Sequence, residues 1–306
     1  MMKRKVFRAC IGLVLAGVLP SCGGNKGLMA SRFDVETDGQ TIQIDGRKKP
    51  ARSLKEVTKD YQLGNFTGLE NRIGLKVYYK QGRDYRVTVT TTPAMLAELV
   101  VEEKAGMLVF RRKETKKAFR GSVTVELTAP RLNAIDNHGA LEFHADDFSA
   151  DDFRIDSRGA LEIETGTIAC RSFVKSSSGA SKLRINVKAD GRVQIDGRGA
   201  EELYGTVEGK DFSMDHRGSV SCRLDVRSEI FNVVSRGSSS MTLDYRGGAA
   251  EIHNSGSGTV NLKVDCEKLI ATNSGAASVA ISGTADDTHI DAKGVSHIDT
   301  SRLNKF

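Results

Sequence analysis

Acids, bases and glycines set close together are the chemistry-bearing features of this chain. Asp156-Ser157-Arg158-Gly159 puts a carboxylate, a hydroxyl and a guanidinium beside a glycine. Acids recur at Asp136, Asp156, Asp196, Asp215 and Asp291, and bases at Arg158, Arg198, Arg217, Arg236 and Lys293. The densest acid group is Asp146, Asp147, Asp151 and Asp152, with His144 nearby. Clustered acids beside a base could hold a cation or protonate a glycosidic oxygen. Here they read as a solvated turn. The 6 histidines fall in different columns of the internal repeat, so they stack into no ligand set. GxSxG, HExxH and phosphate-loop patterns are missing from the sequence. The expectation is no catalytic residue, no metal ligand and no cofactor.

What positions these groups is a repeat. Glycines stand at 139, 159, 179, 199, 218, 237, 256, 275 and 294, spaced by 20 residues and then by 19. Four residues after each glycine come Phe143, Ile163, Leu183, Leu203, Cys222, Met241, Val260, Val279 and Ile298. All are apolar, and chance would give this about once in 5,000 trials at 39% apolar composition. Four residues before each glycine the column is Ile135, Ile155, Lys175, Ile195, Met214, Val233, Ile252, Ala271 and Ile290, with Lys175 the exception. A phenylalanine-rich column lies two residues further back. Spacing of two within a repeat means strands with alternate residues facing inward. A 19–20-residue period leaves no room for a helix, and a unit that small must stack on its neighbours to bury its apolar face. The fold expected is all-β: a single-chain parallel β-helix of about nine coils, a rod of about 43 Å at ~4.8 Å per coil. An up-and-down hairpin protein gives like residues no reason to recur at a fixed period.

The column two residues before the glycine shares the inward parity and carries Asn137, Ser157, Ser177, Gly197, His216, Ser235, Asn254 and Asn273. Such side chains can hydrogen-bond the corner backbone and one another up the stack. The Asp and Arg columns have the opposite parity and point outward. Alternating acid and base columns relieve the repulsion of stacked like charges, giving either an exterior ion-pair ladder or a strip that binds acidic or neutral polysaccharide through Arg158, Arg198, Arg217 and Arg236. Cys170 and Cys266 share a column five coils apart, about 24 Å. That is far beyond the ~7 Å reach of a disulfide, so buried thiols are expected.

The N-terminus carries a different signal. Lys3, Arg4, Lys5 and Arg8 precede an apolar stretch, Ala9–Leu19, too short to span a bilayer. Leu19-Pro20-Ser21-Cys22 follows and resembles the lipobox of bacterial lipoproteins, although Pro20 departs from its usual pattern. The resemblance implies removal of residues 1–21, lipid attachment at Cys22 and anchorage in the cell envelope. Outer-membrane anchorage, facing either side, is expected because no Asp follows Cys22. The formal net charge of +6 contains four positives and no acids from residues 1–21, which leaves +2. A nucleic-acid partner is therefore not supported. The expected partners are a membrane, through the lipid, and a polysaccharide or envelope protein.

Residues 22–60 are expected to be a tether and a β/loop segment, with a hairpin around Asp38-Gly39 and a loop over 45–60. Residues 61–131 are expected to form N-terminal strands and a cap, and residues 132–306 the coils. "TPAMLAELVVEE" (92–103) reads as a helix with Thr92 as N-cap and Pro93 at N1. Arg111–Arg120 is a basic loop with six Lys/Arg and one Glu, read as a solvated hairpin tip or a contact for anionic polymer or lipid.

"LGNFTGLENRIGLKVYYKQGRDYRVTV", "GMLVFRRK", "VTVELTAPRLNAIDNHGA", "SGSGTVNLKV" and "NSGAASVAISG" resemble the putative auto-transporter adhesin, head GIN domain family over about residues 60–300. The resemblance implies a parallel β-helix and an exported lipoprotein of the Bacteroidetes type, and it supplies no catalytic residue. Arg-Gly-Ala corners depart from the usual Ser-Gly-Ser or Ser-Gly-Ala. The sequence thus points to a non-catalytic, adhesin-like binding or scaffold module. A polysaccharide-processing enzyme and a subunit assembling end to end through Gly294–Phe306 are the alternatives.

Overall fold

The structure, a computed structural model, describes residues 41–44, 47–50, 55–114 and 121–305. The signal segment, Cys22, the Asp38-Gly39 turn and residues 115–120 of the basic loop lie outside the described residues. The described residues fall into two units, divided between residues 53 and 54. The described part of the first is an antiparallel hairpin, Thr41–Ile44 with Arg47–Pro50.

The second unit is the expected stack of parallel coils, about nine turns with one short helix. Coil stacks on coil in register. Ile135 pairs with Ile155, Phe143 with Ile163, and Arg192–Glu208 with Asp211–Arg227 without a slip. The apolar columns fill the interior: Phe143, Ile163, Leu183 and Leu203 are all at most 1% exposed. Phenylalanines stack along the rod at 6.0 Å (Phe153–Phe173) and 5.4 Å (Phe212–Phe231), the offset and tilted contacts that aromatic quadrupoles favour.

The corner glycines are set by proximity as well as by φ. A Cβ on Gly159 would lie 1.9 Å from the Gly139 carbonyl oxygen of the coil beneath. Gly199 has φ 132°, a region that side-chain-bearing residues rarely enter. The asparagines of the inner corner column behave as expected. Asn71 Nδ2 donates to Asn137 Oδ1 at 2.9 Å, Asn137 Nδ2 to Ser157 Oγ at 3.0 Å, and Asn254 Nδ2 to Asn273 Oδ1 at 2.9 Å.

The coils continue beyond Gly139. Gly68–Asn71 and Gly74–Gln81 pair in parallel with Ala134–Asn137 and Ala140–Ala145. On their other side lie Met107–Arg112 and Thr124–Ala129, also parallel. Antiparallel strands Arg86–Thr91 and Leu99–Lys104 then cover the edges of that outermost layer, which would otherwise offer open hydrogen-bonding groups to other chains.

Two local expectations need correcting. The helix is only Pro93–Glu98: Thr92 Oγ1 caps it by accepting from Met95 N at 3.3 Å, but Leu99–Lys104 is already a strand. β-Branched Val100 and Val101 suit the hairpin with Met107–Arg112, which turns at Ala105-Gly106 with φ 51° and 76°. Residues 45–60, expected to be a loop, contain the strands Arg47–Pro50 and Val57–Tyr61. Val57–Tyr61 pairs with Arg86–Thr91, a partner that local patterning does not reveal.

Candidate functional site

The corner positions fix where the exterior charges sit. Arg158, Arg198, Arg217 and Arg236 each precede a corner glycine, and all four are exposed. Arg198 stacks on Arg217 in the parallel ladder, and Asp196 on Asp215. The uniform ion-pair ladder does not form. Asp215 receives Arg236 at 2.6 Å, with Arg217 Nε 3.9 Å away. Asp156 is engaged instead by Arg154 at 3.2 Å, and Asp196 accepts from Gln194 Nε2 at 2.7 Å. Arg158 and Arg198 are left with no carboxylate partner among the described residues. The reason is geometric. An aspartate is short, and at both places a flexible donor two residues earlier on the same outward strand face reaches it first.

Between Arg158 and Arg198 one rung of the ladder is missing. The coil of Gly179 carries Ser176-Ser177-Ser178 where its neighbours carry acid and base. Loss of the long side chain opens a depression of about 360 Å³, lined by Asp156, Arg158, Ser176, Ser178, Arg198 and Arg217 among others. Arg158 and Arg198 stand on opposite sides of this gap, two coils apart, about 9.6 Å between their strands.

Directly inside the corner lies a cluster that sequence reasoning missed as a unit. Lys175 is fully buried in the otherwise apolar column between Ile155 and Ile195. Its ammonium donates to Ser177 Oγ at 2.8 Å, to Ser181 Oγ at 3.3 Å and to Glu201 Oε1, so all three donors are used. Glu201 is 5% exposed and His216 1% exposed, with His216 Nε2 3.6 Å from Glu201 Oε2. Glu201 Oε2 and both His216 ring nitrogens are buried and have no hydrogen-bond partner among the described residues. Gly197 makes room for them: a Cβ there would lie 2.1 Å from Glu201 Oε2 and 2.5 Å from His216 Cδ2. Burial lowers the Lys175 pKa from its ordinary value, opposed by the nearby Glu201 carboxyl. Burial also lowers that of His216, with Lys175 acting in the same direction.

A signal for this cluster was present in the sequence. Lys175 broke its column visibly. Glu201 stands two residues after a corner glycine, where Leu141, Leu161 and Val220 stand in other coils, and that column was not read. Five departures from the repeat, at 175, 178, 197, 201 and 216, converge on one corner.

The remaining candidates separate. Asp147 Oδ1 accepts from Thr167 N at 2.6 Å, Asp151 pairs with Arg131 at 2.5 Å, and Asp152 binds Arg171 and Ser172. The Arg171 guanidinium holds the Asp152 carboxyl at about 2. His144 instead stacks on Tyr78, with ring centroids 5.2 Å apart. These acids are thus tied to separate partners along the far corner. Cys170, Cys222 and Cys266 are free and buried, and burial pushes their thiols up to about 11, 12 and 11. Of the basic loop, Arg111 pairs with Glu102 at 2.8 Å. Among the described residues no helix is long and apolar enough to cross a membrane.

Comparison with known proteins follows this geometry. Solved structures with similar folds include a putative adhesin from Parabacteroides merdae, 16% identical, covering 80% of this chain and 97% of that chain with a TM-score of 0.51. A putative lipid binding protein from Parabacteroides distasonis is 14% identical, covers 83% and 98%, and has a TM-score of 0.49. A putative adhesin from Bacteroides fragilis is 18% identical, covers 81% and 97%, and has a TM-score of 0.43. At 16% identity the likeness to the Parabacteroides merdae structure concerns the fold alone. No functionally curated protein matches the chain. A family model matches residues 65–243 and 210–305, nearly the whole of the coiled unit, and the chain belongs to the family described as putative auto-transporter adhesin, head GIN domain.

Proposed function

We propose that this protein is a non-catalytic, adhesin-like binding module of the cell envelope, held to the outer membrane by a lipid on Cys22, whose exterior arginine strip engages a polysaccharide or an envelope protein. The observation that carries this reading is the pair of exposed arginines, Arg158 and Arg198, left without carboxylate partners among the described residues beside the gap at Ser178. A guanidinium presents five donors in a planar fork, suited to carboxylate, sulfate or sugar hydroxyls. An exposed ion-pair ladder would contribute only ~0–1 kcal/mol per pair, so stability gives little reason for four arginines in one column. Family membership supports the adhesin-like reading.

The test is a glycan array with the chain from residue 23 onward, together with protease shaving of whole cells. Binding that falls when Arg158, Arg198, Arg217 and Arg236 are all replaced by Ala supports the proposal. The absence of any glycan signal, with full protection from the protease, removes the surface-adhesin reading. For the anchor, Cys22→Ala is expected to release the protein from the membrane fraction, and continued fractionation with membranes would contradict the lipid assignment.

A further inference from the structure

We propose that the depression at Ser178 is a discrete subsite for an oxyanion substituent carried on a sugar, that is, a sulfate ester, a phosphate ester or a uronate carboxylate. The inference rests on the reading of the arginine strip as a binding surface and narrows it to one place.

The geometry points there for three reasons. The first is the pincer. Arg158 and Arg198 line the gap from the coils on its two sides and have no carboxylate partner among the described residues, while Arg217 lines it from the next coil. An oxyanion about 2.5 Å broad, bound on both sides by N–H···O contacts of ~2.9 Å, spans roughly 8 Å. The strands bearing the two arginines are about 9.6 Å apart, so the side chains can close on it without moving the backbone. A continuous ladder with ~4.8 Å rungs would leave no such opening.

The second is the lining. Ser176 and Ser178, both carrying hydroxyl groups, line the depression. Of the rim carboxylates, Asp156 is occupied by Arg154 and Asp215 by Arg236. Asp196 has only the Gln194 amide as partner. An anion alone would be repelled by Asp196. A sugar bearing an anion beside a hydroxyl satisfies it, because the hydroxyl donates to the carboxylate. No exposed large apolar side chain lines the depression; among the described residues the exposed ones are Tyr78, Ile230 and Val295. Binding at a lipid surface gains from buried apolar area as well as from charge, and a lining without it favours a polymer over a membrane surface.

The third is the support beneath. Ser177, which also lines the depression, is fixed from inside by Lys175 Nζ at 2.8 Å, and Gly197 lies against Glu201 and His216. The lining is thus the outer skin of the polar cluster, whose Glu201 Oε2 and His216 nitrogens are buried and have no hydrogen-bond partner among the described residues. Groups left unsatisfied in this way cost stability and concentrate at places built for something else.

The deciding variant is Ser178→Arg. Position 178 is exposed, so the fold tolerates the change, and circular dichroism with thermal unfolding verifies this. The substitution completes the arginine ladder and fills the gap. The probes are dextran sulfate, a phosphomannan, polygalacturonate and neutral dextran, titrated calorimetrically, with phosphatidylglycerol vesicles as a membrane arm. The expected result is binding of one or more of the three anionic polymers. Affinity should fall tenfold or more in Ser178→Arg and in Arg158→Ala/Arg198→Ala, and change less than threefold in Arg236→Ala. Tighter polymer binding by Ser178→Arg overturns the subsite and leaves the strip reading standing, since a uniform basic surface gains from added charge. Binding of vesicles but of no polymer overturns the sugar assignment. Failure of the wild type to bind any probe overturns the subsite, and the wider glycan array then decides the strip.

Discussion

The same inner column is built in two ways along the rod. At Asn71, Asn137 and Ser157, and again at Asn254 and Asn273, uncharged side chains hand hydrogen bonds from coil to coil at 2.9–3.0 Å. Asn71 also closes its own corner, donating to Ile73 O at 2.9 Å and accepting from Ile73 N at 3.1 Å. In the middle, at Ser177, Gly197 and His216, the amides are gone. A buried Lys175–Glu201 pair and the His216 imidazole occupy the space, with Glu201 Oε2 and both ring nitrogens lacking a hydrogen-bond partner among the described residues. The column and the strand pairing continue through both, but the corner backbone does not repeat: Gly199 and Gly218 take φ 132° and 129°, a region that Gly139 and Gly159 do not enter, so the difference joins corner geometry to side-chain chemistry. It teaches that the amide ladder is sufficient to hold a corner of this fold, and that the charged corner is not needed for the coil to close.

That comparison breaks most sharply at the ion pair. Lys175→Met leaves the Glu201 carboxyl buried opposite an apolar chain. Removing one member of a buried pair costs about 3–5 kcal/mol, whereas replacing both members with apolar groups is often neutral or stabilising by about 1–4 kcal/mol. Urea unfolding should therefore show Lys175→Met strongly destabilised and Lys175→Met/Glu201→Leu recovered to near wild type or beyond. If the double variant is as unstable as the single one, the pair is structurally required and the contrast between the two kinds of corner fails.

Next in size are the amide ladder and the glycine that replaces it. Asn137→Ala removes donors to Ser157 Oγ and Ala160 O and the acceptor for Gly139 N. Each buried group left without a partner costs about 1–3 kcal/mol, and a loss in this range is expected from chemical denaturation. Gly197→Ala forces a methyl against Glu201 and His216. Overpacking of this kind costs about 1–3 kcal/mol. The same substitution in the Lys175→Met/Glu201→Leu background should cost a different amount, because the group it strikes has changed.

Much of this architecture was legible beforehand, because a solenoid writes its fold as columns. Phe143, Ile163 and Leu203 announced the core, and Asn137 and Asn254 the corner bonds, since stacking places residues one period apart in contact. What escaped was what depends on pairing across unlike segments. Val57–Tyr61 finds Arg86–Thr91, and Gly68–Asn71 extends the coil with Ile73 where later corners carry glycine. The site was half legible. The arginine column could be counted, but Asp156 choosing Arg154 and Asp196 choosing Gln194 are side-chain decisions that parity does not determine. The polar cluster was hidden because its members come from three coils and three columns, each looking like an isolated lapse.

The two kinds of corner should also respond differently to pH. Burial holds His216 below the usual imidazole value of about 6.5; Lys175 reinforces this, and Glu201 and Asp215 oppose it. The unfolded chain therefore takes up the His216 proton at a higher pH than the folded chain does. Stability is complete above about pH 6.5 and is lost as the pH falls below that value toward the folded pKa. His216→Asn puts the amide of the other corners into this position. The expected outcome is a melting temperature that falls less between pH 7.5 and pH 5 in the variant than in the wild type. Equal slopes would show that His216 is not the group being titrated.

The smallest stability effect belongs to the outside of the same corner. Arg158 is exposed and has no ion-pair partner among the described residues, so Arg158→Ala should change unfolding free energy by no more than about 0.5 kcal/mol. Arg236, paired with Asp215 at 2.6 Å but exposed, should lose at most about 1 kcal/mol when replaced by Ala. The order reverses for binding, where Arg158 borders the gap and Arg236 does not line it. A residue that contributes nothing to folding yet lowers affinity would separate the two uses of one column. If Arg158→Ala destabilises the fold more than Arg236→Ala, the exterior arginines serve the coil, and the argument that they are kept for a ligand loses its physical basis.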